Sequence, residues 1–258
     1  MLNVKSNSLR LFVEEIQYRN RNPRDLQVLN LLDDLSTNTE ILVQKNCNLY
    51  RARIINHADI QTKINQEPNF FGYGCRESFV PPSELTRDFR ANYRYIPYLY
   101  CANHPYIALV EVRPRRGAMV SIATITATDS IRLLDFTLQK KPRNMSMEKQ
   151  LLFEDLSNLY STPATKDDDI LDYIPTQFIA EYAKSLGYDG IAFSSSLTPE
   201  YTPEMHRYNI VIFNYEKCKP VKSNVFEVFE TYFTVKNKDS DAERISVECY
   251  LEEILPHI

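Results

Sequence analysis

Arg51 and Arg53 alternate with Tyr50, Ala52 and Ile54 in a strand-like run, and Glu111 stands alone among the apolar residues from Ile107 to Val112. An arginine meets phosphate oxygens with a planar, two-pronged set of donors. A carboxylate stabilises positive charge that develops beside it as a bond breaks. A tyrosine face, such as that of Tyr100, stacks on a flat cationic ring. Each residue also has a plainer reading. Arg51 on the polar face of a strand is most simply solvated, Glu111 is the exposed side of its helix, and Tyr100 is one of 17 tyrosines. Arg113, Arg115 and Arg116 form a basic patch that suits an anion and equally suits a solvated turn. Asp167, Asp168 and Asp169 are adjacent, so their carboxylates point apart, and they read as a solvated loop rather than a cation site. The histidines His57, His104, His206 and His257 stand at no ligand spacing with Asp, Glu or Cys and read as structural.

These residues need elements to hold them. Leu9, Phe12, Val13 and Ile16 follow helical spacing with Ser8 as N-cap, and Asn22-Pro23 begins a second helix with Leu26, Leu29, Leu32 and Leu35 on one face. Residues 1–45 are therefore read as a helical N-terminal extension. Leu49 to Ile54 is a strand, with Tyr50, Ala52 and Ile54 on one face and Arg51 and Arg53 on the other. Asn56 to Arg90 is irregular. Ile96 to Cys101 is a second strand, and Asn103-His104-Pro105 starts a short helix. Met119 to Thr126 and Ile131 to Phe136 alternate as a hairpin does. Ser146 caps a helix through Leu159, and Thr176 to Leu186 is a helix stopped by Gly187. Gly190 to Ser195 and Tyr208 to Phe213 are strands. The tail carries a strand-like run from Val225 to Val235, a charged turn from Asn237 to Asp241 and a helix to Leu255. Mixed strands with segregated helices indicate an α+β fold.

With 258 residues, 43% of them hydrophobic, the chain suits one domain with extensions and has ample core. A net charge of −4 gives no overall pull toward nucleic acid or an anionic membrane. The five cysteines, Cys47, Cys75, Cys101, Cys218 and Cys249, include no C-x-x-C pair, and free thiols in a reducing compartment are expected. Met1 to Asn20 lacks the apolar stretch of a signal peptide, and no apolar run approaches the ~20 residues of a membrane helix, so a cytoplasmic location is expected.

Several short runs fall in one order: Leu49-Tyr50-Arg51-Ala52-Arg53, Pro81-Pro82, Arg90-Ala91-Asn92, Ile96-Pro97-Tyr98-Leu99-Tyr100 and Ala108-Leu109-Val110-Glu111-Val112-Arg113. Val120-Ser121-Ile122-Ala123, the run from Pro175 to Tyr182, Gly187-Tyr188-Asp189-Gly190-Ile191, Ser194-Ser195-Ser196 and the run from Tyr208 to Phe213 complete the series. Jointly, from Leu49 to Phe213, they resemble the RES domain family, named for its Arg, Glu and Ser. The resemblance implies an ADP-ribosyltransferase-like mixed β-sheet core with flanking helices, occupying residues 46–215, with residues 216–258 as a C-terminal strand–helix extension. Many members are toxins of bacterial toxin–antitoxin pairs that deplete NAD+ by phosphorolysis or hydrolysis of the nicotinamide–ribose bond, and some are described as ADP-ribosyltransferases.

Carried over by position, the family's two arginines are Arg51 and Arg90, its strand-ending tyrosine is Tyr100, its helix glutamate is Glu111 and its serine is Ser195, with Ser194 and Ser196 one step away. The resemblance implies catalytic roles for Glu111, Arg51 and Tyr100. It implies substrate contacts for Arg51, Arg90, Asn92, Tyr100 and Ser195. NAD+ is expected as substrate, with inorganic phosphate as a candidate co-substrate. No metal or resident cofactor is expected, because nicotinamide is already a good leaving group. An Xre-type helix-turn-helix antitoxin is the expected partner, and self-association through the apolar terminal helices stays open. Two other readings remain: an ADP-ribosyltransferase acting on a protein or nucleotide-metabolism target, and a RES-like protein that binds an antitoxin with catalysis lost. One departure bears on the last. The family pattern G-R-A-N-P-x-G-I-P meets Phe89-Arg90-Ala91-Asn92-Tyr93-Arg94-Tyr95-Ile96-Pro97 here, so two glycines and a proline become bulky residues.

Overall fold

Residues 48–54, with Leu49 and Ala52 buried, and the nearly continuously buried run 119–127 are strands, and they pair from Asn48 with Thr126 to Ile54 with Val120. The computed structural model describes residues 5–24, 26–36, 39–56, 58, 72–137, 146–162, 170–197, 207–231, 234–235 and 245–246. Eight strands form one sheet: β1 (Glu40–Val43), β2 (Asn48–Ile54), β3 (Leu99–Ala102), β4 (Met119–Ala127), β5 (Ile131–Phe136), β6 (Gly190–Ser194), β7 (Tyr208–Ile212) and β8 (Cys218–Glu227). Their spatial order is β1-β5-β6-β7-β3-β2-β4-β8, and only β5 and β6 run parallel. The helices are α1 (Asn7–Tyr18), α2 (Gln27–Ser36), α3 (Pro105–Glu111), α4 (Met147–Ser161) and α5 (Ile170–Ser185). A short ribbon pairs β9 (Thr234–Val235) with β10 (Ile245–Ser246). The architecture is α+β. Among the described residues, no helix is long and apolar enough to cross a membrane.

The order of strands forces the sheet to curl. β1 and β2 are consecutive in the chain but five places apart in the sheet, and so are β4 and β5. Five places in a flat sheet are about 24 Å. The link from β4 to β5 is residues 128–130, and so short a segment reaches only about 14 Å. The sheet therefore folds back on itself, and its concave face closes on a core of Leu49, Leu99, Ile125, Leu133, Ile210 and Ile212. The convex face carries Leu134, Phe136, Ile191 and Val211 under α1, α2, α4 and α5.

Several sequence expectations change here. The runs at 119–127 and 131–136 are strands but not a hairpin: β4 lies between β2 and β8, and β5 between β1 and β6. Alternation specifies a strand, not its partner. Residues 1–45 are not wholly helical, since β1 joins the sheet, and β8 at 218–227 extends it at the other edge. The N-cap of α1 is Ser6, whose Oγ accepts from Leu9 N–H at 3.3 Å. Asp155 draws the chain in earlier than Ser8 by accepting from the N–H groups of Lys5 and Ser6, at 2.9 and 2.6 Å. α2 starts at Gln27, beyond Pro23. α5 starts at Ile170 and contains Pro175. The proline has no N–H for the carbonyl of Leu171, and Gln17 Nε2 donates to that carbonyl at 2.8 Å instead. Ile245–Ser246 is strand where a helix was expected; the rest of that helix, with Asp167 to Asp169, His57, His206 and His257, lies outside the described residues. Ser146 and Gly187 cap and stop their helices as read from sequence, with Gly187 at φ 84°.

Gly190 sits where β6 passes between β5 and β7. A Cβ there would lie 2.3 Å from Val211 O and 2.8 Å from Leu133 Cδ2. Backbone cannot yield as a flexible side chain does, so Gly190→Ala is expected to cost about 1–3 kcal/mol, read as a lower urea midpoint at unchanged slope. An unchanged midpoint would mean that β6 and β7 are less tightly apposed than described.

Candidate active site

Where β2 leaves β3, the sheet opens. The two strands are neighbours through one registered pair, Tyr50 with Ala102. The small residues Ala52, Ala102 and Ala108 let α3 approach β2 and β3 closely, with Ile107 buried beneath it. His104 starts α3 by accepting from Tyr106 N–H at its Nδ1, 3.1 Å away, and Pro105 follows at the first helical position. The helix delivers Glu111 at its last residue, the end where the backbone dipole disfavours a negative charge. Two donors compensate. Ser195 Oγ and Asn209 Nδ2 both donate to Glu111 Oε1, each at 2.6 Å. Oε2 accepts from no described residue.

Glu111 borders a cleft of about 530 Å³ that Arg51, Arg90, Tyr100, Asn209 and Phe193 also line. The size and the mixture of aromatic walls with few polar groups suit a small-molecule ligand. Arg51 is largely buried, and its Nη1 is sealed from solvent without a hydrogen-bond partner among the described residues. Burial, and then the neighbouring Arg53 charge, pull its pKa down to about 10. Arg53, on the same strand face, is committed elsewhere: its Nη1 donates to Glu77 O and its guanidinium lies 3.9 Å over the Tyr73 ring. Arg90 donates from Nη1 to the carbonyls of Tyr160 and Leu159, at 2.5 and 3.3 Å, in the last turn of α4.

Tyr100 reaches the cleft with its hydroxyl already occupied. It donates to Asn92 Oδ1 at 2.7 Å and accepts from Ala91 N–H at 3.1 Å. Burial raises its pKa above the ordinary tyrosine value. Asn92 is buried and does not line the cleft; its contact with the cleft wall is its bond with Tyr100. Of the three adjacent serines, Ser195 reaches Glu111, Ser194 donates to Thr137 O at 2.8 Å, and Ser196 lines the cleft. Arg113 also lines it, just past α3. Among the described residues no group of His, Cys, Asp and Glu stands ready to hold a metal.

Two residues of this site were quoted in sequence motifs without a role. Asn209 is a polar residue inside the apolar strand β7, and a buried amide needs a partner. Gln177 is buried in α5, and its Nε2 donates to both Phe89 O and Asn92 O, at 3.0 and 2.9 Å. These carbonyls close the turn carrying Arg90, where Phe89 and Asn92 also exchange two backbone hydrogen bonds. In both cases the signal available was a lone amide in an apolar run.

The model of the RES domain family matches residues 67–230. The chain belongs to the RES domain family. The matched residues include Arg90, Asn92, Tyr100, Glu111, Ser195 and Asn209 but not the residues of β2, Arg51 among them. A chain of the M. tuberculosis MbcT–MbcA toxin–antitoxin complex is similar in structure, with a TM-score of 0.45 and 13% identity over 79% of this chain and 93% of that one. No curated protein matches.

The departure from the RES pattern at residues 89–95 puts a bulky side chain at a strained backbone position. Tyr95, at the pattern's second glycine, adopts φ 71°, the left-handed conformation that glycine takes without strain. Its N–H still bonds Thr86 O at 3.2 Å. Tyr95→Gly is therefore expected to stabilise the protein by roughly 0.5–1 kcal/mol, and Tyr95→Val to destabilise it by about 1 kcal/mol, in denaturant titrations. The opposite ordering would place the strain elsewhere. Arg51→Met should also stabilise the unliganded protein, by on the order of 1 kcal/mol, because it removes a buried cationic nitrogen without a partner. A lower thermal midpoint for Arg51→Met would show that the guanidinium makes a net stabilising contact.

Proposed function

We propose that this RES-domain protein cleaves NAD+ at the nicotinamide–ribose bond, with phosphate or water as acceptor, and acts in the cytoplasm as the toxin of a toxin–antitoxin pair. The observation that carries this reading is the Glu111 carboxylate. Ser195 and Asn209 hold one oxygen, the other is left without a donor among the described residues, and the group borders an aromatic cleft that also contains cationic side chains.

In this reading the pyrophosphate of NAD+ meets Arg51, whose buried Nη1 an anion would satisfy, and Arg90. The cationic nicotinamide ring packs against Tyr100, whose hydroxyl is anchored by Asn92 and so fixes the ring plane. The C1′–N bond breaks with its electron pair leaving on nicotinamide. Glu111 stabilises the positive charge that grows on the ribose. An oxygen of phosphate or water then bonds to C1′; with water, one proton is released. Ser195 is a positioning residue here, because its hydroxyl proton is spent on Glu111. Members of the family are often toxins, and the partner proposed on that ground is a helix-turn-helix antitoxin. The turn at residues 89–92 still presents Arg90 at the cleft wall, which weighs against a role limited to binding.

The purified protein is incubated with NAD+, with and without inorganic phosphate, and followed by phosphorus NMR. Nicotinamide together with ADP-ribose 1″-phosphate means phosphorolysis, and free ADP-ribose means hydrolysis. Glu111→Gln keeps an oxygen for Ser195 and Asn209 but removes the charge, so the rate should fall by about 10²–10³-fold without loss of fold. NAD+ left intact at high protein concentration would sink the proposal, and a protein labelled with ADP-ribose would redirect it to transferase activity.

A further inference from the structure

Phe89 is 52% exposed, although it belongs to a turn held by hydrogen bonds on both sides. The turn is closed by two backbone hydrogen bonds and pinned from below by Gln177. Its ring lines the cleft and meets Tyr100 edge to face, with centroids 5.9 Å apart and planes at 61°. The two rings thus form a corner, Tyr100 inside and Phe89 toward the mouth. Leaving a large apolar ring half in water forgoes burial free energy, unless something else covers the ring. The rigidity of the turn means that little freedom is lost when a ligand does so.

Building on the NAD+ reading above, we propose that Phe89 is a substrate-binding residue, the outer wall of an aromatic corner that holds the cationic pyridinium ring of NAD+ against Tyr100. The chemistry favours that ring over a neutral one. A positively charged plane gains from the negative faces of two aromatic rings. Tyr100 alone offers one face, and its hydroxyl is locked by Asn92 and Ala91, so it cannot follow the ligand. Phe89 also screens the ring, and the bond to be broken, from bulk water.

The chain contains no tryptophan, so Phe89→Trp places a single indole emitter at the mouth of the cleft. In a Glu111→Gln background, which slows turnover, NAD+ should quench that emission strongly and saturably, and ADP-ribose, which lacks the pyridinium, should bind without quenching. With Glu111 intact, Phe89→Ala should raise KM for NAD+ by about fivefold to tenfold with kcat little changed; Phe89→Tyr should restore KM, and the equally apolar Phe89→Leu should not. NAD+ binding by calorimetry without any change in the indole emission, equal quenching by ADP-ribose, or an unchanged KM in Phe89→Ala would each overturn this assignment alone. No binding of NAD+ to the unaltered protein would overturn the functional reading, and this one with it.

Discussion

The curl of the sheet is the constraint on which the rest of the structure depends. Two links too short to cross a flat sheet, at residues 44–47 and 128–130, join strands five places apart. The sheet must close on itself at that end, and it does so over the core around Leu49, Ile125 and Ile210. At the other end it gapes. β2 and β3 touch at Tyr50 and Ala102 and then part, and α3 settles into the opening on a bed of alanines. The cleft is a consequence of that closure: a sheet drawn tight at one end has room for a ligand at the other.

Charge is distributed to exploit the gap. Arg53 and Arg90 are partly tied to backbone carbonyls, so their positions are set before any ligand arrives. Arg51 has no such tie at Nη1. A guanidinium held in this way lowers the stability of the empty protein and raises its affinity for an anion, since the desolvation has already occurred. Glu111 follows the same logic from the other side. It sits at the unfavourable end of a helix dipole, and two fixed donors to one oxygen keep it there without neutralising the other. The free energy for both placements comes from the apolar core beneath them.

Much of this was legible in the sequence where the signal is local. The strand carrying Arg51, the His104-Pro105 helix start, the Ser146 cap and the Gly187 stop depend on a few adjacent residues. Pairing was not legible. β4 and β5 alternate as hairpin strands do, and nothing in either run says that β2, β8, β1 and β6 will occupy their edges. Ser6 displaced Ser8 as cap because of Asp155, about 150 positions away. Asn209 and Gln177 were visible as amides in apolar runs, but their partners, Glu111 and the carbonyls of Phe89 and Asn92, lie about 90 positions off. Arginines, a tyrosine and a glutamate announce chemistry by type. Amides announce only that they need a partner.

The altered loop shows how such partners decide what a substitution means. A tyrosine resists the left-handed conformation, yet Tyr95 adopts φ 71°. Three attachments over-determine the segment: the bond from Tyr95 to Thr86, the paired turn at Phe89 and Asn92, and the two bonds from Gln177. Local strain persists when its surroundings fix the conformation more strongly than the residue resists it. The path of the loop is therefore set by these attachments and not by the preference of Tyr95. Arg90 stays on the carbonyls of α4 and Asn92 stays on Tyr100, while the ring of Phe89 is added to the wall of the cleft. A loop held by its partners can vary in its exposed side chains while the buried ones keep their bonds.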